Sequence, residues 1–276
     1  MRRTGAQESA GSRWRWRGLW WLLWPCALGM AQAGAGAPAD AARAAQFAKL
    51  PNWSGLWMST AWNLDVSGRP PGGEEELRSK LQLIRPPPYN AQWAARYQAA
   101  LQDKAALSAR NATFKVCTRS FPAIMESAWQ FEILTLPEET LLVFENGQVR
   151  HIYTDGRQHP SGDELWPTPL GDSLGRWQGQ TLVVDTVARS ATEPMAPRAW
   201  VAMLSEAAHI TERLRRIAAN TLEDRLLIED PVAFANPWEL TLTFRRVTEM
   251  NRMIPADCTE NDRNPVIDGK MVITNP

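Results

Sequence analysis

The stretch that decides the fold reads FENGQVRHIYTDGRQHP over residues 144–160 and, after a short spacer, PTPLGDSLGRWQGQTLVVDT over residues 167–186. Asn146-Gly147 stands between two strand-like runs, residues 140–145 and 148–154. Asn-Gly in that setting is the strongest short hairpin signal, because both central residues of a type I′ turn need positive φ. A two-residue turn sets Phe144 opposite Val149, Leu142 opposite His151 and Thr140 opposite Tyr153. These six share the more apolar face, which predicts that His151 points inward or into a pocket. A second, weaker hairpin centres on Gln178-Gly179, between residues 174–177 and 180–186.

Further strands extend this pattern in both directions. Residues 131–135 read as the strand before the first hairpin. Leu222, Asp224, Leu226 and Ile228 alternate with charged or exposed-type neighbours, and Leu240, Leu242 and Phe244 do the same, as half-buried antiparallel strands require. Residues 211–217 suit a helix by composition, but the neighbouring strands favour a strand. The clearest helix spans residues 90–108, where Trp93, Tyr97, Ala100, Leu101 and Leu107 fall near a 3.6 period and Asn90 offers an N-cap. Gly68–Gly73 and Arg85-Pro86-Pro87-Pro88 break regular structure. The expectation is a mainly β chain: an antiparallel up-and-down barrel or strongly curved sheet, lipocalin-like, with one covering helix. Gly55-Leu56-Trp57 near the start of the folded region adds a weak lipocalin-like signal. A barrel of this size can hold a small ligand inside; a filled interior would favour a structural role.

The N-terminus reads as an export signal. Arg2, Arg3, Arg13, Arg15 and Arg17 precede or flank an apolar, Trp-rich run that ends in Ala31-Gln32-Ala33. The run is short of the roughly 20 residues of a membrane span. The expected organisation is a signal peptide over 1–33, a flexible Ala/Gly-rich leader over 34–50 and one β-rich domain over 51–276. Removing five Arg and one Glu leaves 30 − 5 = 25 basic and 30 − 1 = 29 acidic residues, a mature charge of −4. No Lys/Arg run remains, which argues against nucleic-acid binding. Cys117 and Cys258 remain, and a periplasmic or secreted location makes a disulfide between them the favoured reading over two separate thiols.

Acid–base groups gather at Asp155, Arg157 and His159, directly after a strand. As a site, Asp155 or His159 would move a proton and Arg157 would hold a carboxylate or oxyanion. As a turn, Asp155-Gly156 is ordinary local structure and Arg157 pairs with Asp163 or Asp172 as scaffolding. His151, Tyr153, Trp177, His209 and Glu212 are the further candidates for contact with a ligand, and Trp129, Trp166, Trp200 and Trp238 read first as packing. No His-x-His, His-Glu-x-x-His or Cys-x-x-Cys spacing occurs, and no P-loop or dinucleotide fingerprint, so neither a metal nor a cofactor is expected. Ser173 sits in Gly171-Asp172-Ser173-Leu174-Gly175 without the strand-to-helix context of a nucleophile elbow.

Ile152–Pro160, Gly171–Thr186, Glu212-Arg213, Asp230-Pro231, Pro237-Trp238 and Cys258–Asn261 together resemble an uncharacterised family of secreted bacterial proteins with YTDGRxHP and GxWEGDTLVVDT-type motifs. The resemblance covers about residues 115–262, and implies export and topology rather than a chemistry. Gln178 and Gln180 stand where that pattern has Glu and Asp, and Arg119 replaces its first Pro. Two ligand-handling functions follow as expectations, beside a structural envelope protein with no pocket at all. One is a periplasmic or secreted barrel that binds a small, partly apolar or aromatic molecule, with Tyr153, Asp155, Arg157 and His159 fixing its polar end. The other is a cofactor-independent lyase, isomerase or hydratase that uses the same cluster. The sequence does not specify an oligomeric state.

Overall fold

Nine strands follow one another around a barrel in sequence order. They are β1 (Leu56–Ser59), β2 (Phe131–Thr135), β3 (Glu139–Phe144), β4 (Val149–Tyr153), β5 (Asp172–Gln178), β6 (Thr181–Val187), β7 (His209–Ala218), β8 (Thr221–Glu229) and β9 (Trp238–Arg246), and β9 pairs with β1 to close the ring. The computed structural model describes residues 42, 44–62, 76, 79–103, 118–127, 129–192, 202–255, 266–267 and 270–271. The expected signal peptide, Cys117, Cys258 and their disulfide, and Trp200 lie outside the described residues. Val266–Ile267 and Lys270–Met271 pair separately as a short hairpin.

The expected period-2 runs are strands. Leu222, Asp224, Leu226 and Ile228 of β8 and Leu240, Leu242 and Phe244 of β9 are buried, and residues 211–217 lie within β7. Inward side chains from β2, β3, β4, β6, β7, β8 and β9 meet in one cluster that also takes in Trp53, Trp57, Phe121, Ile124 and Met125. Among the described residues, the interior-facing side chains of these strands pack against one another. Closing the ring removes strand edges, and this packing hides the apolar faces of the strands.

The first hairpin differs from its expected register by one residue. Phe144 N–H donates to Gln148 O at 2.9 Å and Gly147 N–H to Phe144 O at 2.9 Å, so the loop has three residues, Glu145, Asn146 and Gly147. Gly147 alone takes positive φ, at 83°; Asn146 does not. This is the three-residue turn with glycine at its left-handed position, not the two-residue type I′ turn. Pairs are now Leu141 with His151, Leu142 with Arg150 and Thr140 with Ile152. Because side chains alternate with period two, the shift exchanges faces. Arg150 points into the barrel at 1 % exposure, and His151 points outward. The second hairpin also moves by one: Gln178 pairs with Thr181 around Gly179-Gln180.

One seam is parallel. β4 meets β5 only through Ile152–Ser173 and Tyr153–Leu174. Residues 154–171 form the crossover that a parallel pair requires, without an α-helix in it. Backbones approach closely here: a Cβ on Gly175 would lie 2.7 Å from Ile152 Cγ2 and 3.0 Å from Thr154 Cγ2.

The helix α1 (Ala91–Gln102) is shorter than expected; Asp103 is its C-cap, and residues 104–108 lie outside the described residues. Asn90 Oδ1 accepts from Trp93 N–H at 3.0 Å, the expected N-cap. Tyr89, just before α1, packs on Tyr97 and on Phe234 in the β8–β9 connection. At this end of the barrel, Phe121 lies over Arg150, Met203 N–H donates to the Tyr89 hydroxyl, and Glu126 accepts from Gln82 and Leu83 N–H. Residues 44–47, from the expected flexible leader, are helical, and Phe47 and Leu50 border an apolar hollow with Trp53, Ile133 and Leu136.

Candidate functional site

The sequence cluster divides into two parts. Asp155 and Arg157 stay together on an exposed turn, where Arg157 Nε reaches both Asp155 oxygens at 3.0 Å. The Arg157 side-chain hydrogen bond, followed by its backbone N–H and then its charge, holds the Asp155 carboxyl below the usual range. The guanidinium also covers the Tyr153 ring at 3.9 Å. This pair is self-satisfied. The scaffolding partners considered for Arg157, Asp163 and Asp172, are not its ion-pair partners.

His159 turns away to a different set of groups. Its Nδ1 bonds Asp172, and its Nε2 faces Asp185 Oδ2 at 3.0 Å. The other Asp185 oxygen bonds His209 Nε2, and His209 Nδ1 lies 3.7 Å from Glu229. Four strands supply this outer-face chain: Asp172 opens β5, Asp185 sits late in β6, His209 opens β7 and Glu229 ends β8. Burial would raise the Asp185 carboxyl, but the hydrogen bonds from His209 and His159 outweigh it and hold the group below its ordinary range. His159 is thus a clamp between β5 and β6, with no ring nitrogen left over for a substrate.

His151 is 49 % exposed and its Nδ1 meets Glu139 Oε2 at 2.8 Å, so the expected inward histidine is a surface one. Trp177 is half-buried against the core and packs on Trp53, with ring centroids 4.9 Å apart. His209 and Glu212, expected to border one site, lie on opposite faces of β7 because they are three residues apart in a period-2 element. Glu212 is inside. Its carboxylate takes a bidentate contact from Arg150, Nη1 to Oε1 at 2.9 Å, while Arg150 Nη2 also donates to Thr186 Oγ1 at 2.9 Å and Ser173 Oγ at 3.2 Å. Ser173 is therefore a barrel-interior ligand of Arg150.

Asp224 is fully buried beside this pair, and its carboxyl faces that of Glu212. Burial, then the charge of Glu212, push its carboxyl well above the ordinary range, against the pull of Arg150. A neutral Asp224 beside one Arg–Glu pair leaves the interior without net charge. Sequence reading missed Arg150 through the register and passed over Asp224, although an acid in a column of Leu and Ile was a usable signal.

Three sizeable hollows among the described residues are lined by other side chains than Asp155, Arg157 and His159. One polar hollow, about 340 Å³, lies over Ser59, Gln82, Glu126 and Thr243. Burial pushes the Glu126 carboxyl up to about 7, partly offset by the Leu83 and Gln82 N–H groups. Another, about 430 Å³, meets the histidine–carboxylate chain. His209 and Glu229 form its polar edge, and Ala207, Pro231, Phe234, Ala235 and Pro237 form its largely apolar floor. No group of three or more His, Cys, Asp or Glu suited to a metal occurs among the described residues. No helix among them is long and apolar enough to cross a membrane. No protein-family model matches the chain, and no curated protein matches it.

Proposed function

We propose that the chain is an exported small-molecule-binding β-barrel protein whose ligand sits in the outer groove beside His209 rather than inside the barrel. The observation that carries this reading is the groove itself: an apolar floor of Phe234, Pro231 and Pro237 meets one polar edge, His209 and Glu229. Its volume of about 430 Å³ falls in the range of small-ligand sites. A partly apolar molecule would place its body on the floor and its polar end at the edge. His159 and Asp185 contribute at one remove, by fixing the His209 ring. Export rests on the Arg-flanked apolar run ending in Ala31-Gln32-Ala33 and on the resemblance to secreted bacterial proteins. Asp155 and Arg157 have the smaller part in this reading, since they satisfy one another on the surface.

One feature favours a catalytic variant of the same reading. His209 meets the groove and is backed by Asp185, the pairing that orients a general base. In a cofactor-independent lyase, isomerase or hydratase, His209 would then take the place first assigned to His159 or Asp155.

The test is a thermal-shift screen of the purified mature protein against small aromatic and amphiphilic molecules, repeated on Ala235→Trp. Ala235 is an exposed lining residue, so the indole fills the groove without touching the core. A ligand at about 100 times its Kd stabilises by about 2.7 kcal/mol, which raises Tm by roughly 5–10 °C for a chain of this size. Hits that vanish in Ala235→Trp support the groove. Hits of equal size in both proteins place the ligand elsewhere.

A further inference from the structure

We infer that the groove beside His209 is built for an organic cation, an ammonium carried on an apolar or aromatic body. The inference rests on the groove being the ligand site and names the class of ligand it takes.

The charge around the groove is one-sided. Glu229 and Asp230 line it, and no Lys or Arg does among the described residues. Asp185 and Asp172 stand behind His209 through the hydrogen-bonded chain, so three carboxylates (Asp172, Asp185, Glu229) flank two imidazoles. Even with both imidazoles protonated, that chain carries net negative charge. Asp230 is buried and accepts from Ser205 N–H at 2.7 Å, Ser205 Oγ–H at 2.7 Å and Ala233 N–H at 2.9 Å. Those neutral donors fix its carboxylate without cancelling its charge. Arg189, buried nearby, offsets part of the field of Asp230 and Glu206, but it does not reach the groove lining.

Glu229 is the carboxylate with capacity to spare. It is half exposed, and its nearest ionic neighbour, His209 Nδ1, is at 3.7 Å, outside hydrogen-bond distance. An ammonium at the groove edge would reach it directly. The floor sets the rest of the ligand. Phe234 is buried, held by edge contact with Trp238 at 6.0 Å and by Tyr89 at 5.6 Å, so only the margin of its ring lines the groove beside the acidic edge, in a fixed position. Aromatic faces and carboxylates together favour cations, while a carboxylate-bearing ligand would meet like charge.

The experiment is titration calorimetry of the full chain with three probes of nearly equal shape: 2-phenylethylammonium, neutral 2-phenylethanol and anionic 3-phenylpropionate. The ammonium is expected to bind roughly five- to tenfold more tightly than the alcohol, the effect of one partly exposed charge-assisted contact, and the carboxylate most weakly. Glu229→Gln, a surface change at the end of β8, should erase the ammonium's advantage over the alcohol. Equal binding of ammonium and alcohol, or tightest binding of the carboxylate, overturns the cation assignment while the groove survives. Failure of all three probes, or binding unaltered by Ala235→Trp, overturns the groove as ligand site and the cation with it.

Discussion

Replacing Arg150 by methionine should be among the most destabilising single changes in this chain. Arg150 is 1 % exposed, Glu212 2 % and Asp224 fully buried. The guanidinium satisfies both Glu212 oxygens, Ser173 and Thr186, and sits 3.7 Å above the Phe121 ring. Arg150→Met leaves the Glu212 carboxylate buried without a cation, next to a second acid. Breaking a buried pair from one side costs about 3–5 kcal/mol. With a urea m-value of about 2 kcal/mol/M, the midpoint should fall by roughly 1.5–2.5 M. The change should not be read as the worth of the pair, because desolvation of both ions opposes their attraction. Removing the whole cluster, Arg150→Met with Glu212→Leu and Asp224→Val, should restore stability to near the parent or above it. Equilibrium urea unfolding followed by tryptophan fluorescence reads both variants. A loss under about 1 kcal/mol for Arg150→Met, or a triple variant weaker than the single one, would refute the claim of a buried, charge-balanced cluster.

Other predictions concern titration and backbone. Asp224 has a raised pKa in the folded state, so the native chain holds a proton that the unfolded chain releases above about pH 4. Its contribution is complete below that pH and is lost as pH rises, because the native state binds more protons. Asp224→Asn should therefore gain on the parent in urea midpoint between pH 4 and 7, and a difference constant with pH would contradict the burial argument. Glu126, raised to about 7, follows the same sign over the window from 4.5 to 7, and carboxyl-carbon NMR should find its midpoint near 7 rather than near 4.5. Gly175→Val, forced against Ile152 and Thr154 at the parallel seam, should cost about 1–3 kcal/mol in thermal or urea unfolding, and an unchanged midpoint would mean the seam is looser than described. Gly147→Ala has open space around its Cβ but φ of 83°, so it should cost about 1 kcal/mol through the backbone alone, measured the same way.

The strands were legible because each carries its own signal. β8 and β9 show alternation over most of their length, and a one-sided burial pattern needs no partner to be read. The hairpin was legible as an element but not in register. Asn146-Gly147 suits two turn types, and the choice between them decides whether His151 or Arg150 faces the core. The parallel seam left no local mark, since residues 154–171 cross over without the α-helix that usually advertises such a connection. The site was legible as residues and not as a constellation. His159 and His209 stood out as two of three histidines, yet their partners Asp172, Asp185 and Glu229 come from three further strands. Only the pairing of β5 through β8 brings them together. Asp155, Arg157 and His159 are neighbours in sequence, and the chain between Gly156 and Pro160 sends the last of them elsewhere.

Amide chemical-shift mapping with 2-phenylethylammonium tests the placement of the ligand most directly. Shifts confined to Ala207, His209, Glu229, Phe234, Ala235 and Asn236 are the predicted result. Shifts centred on the inward positions Leu142, Ile152 and Leu226, or on the Asp155–Arg157 turn, would contradict it.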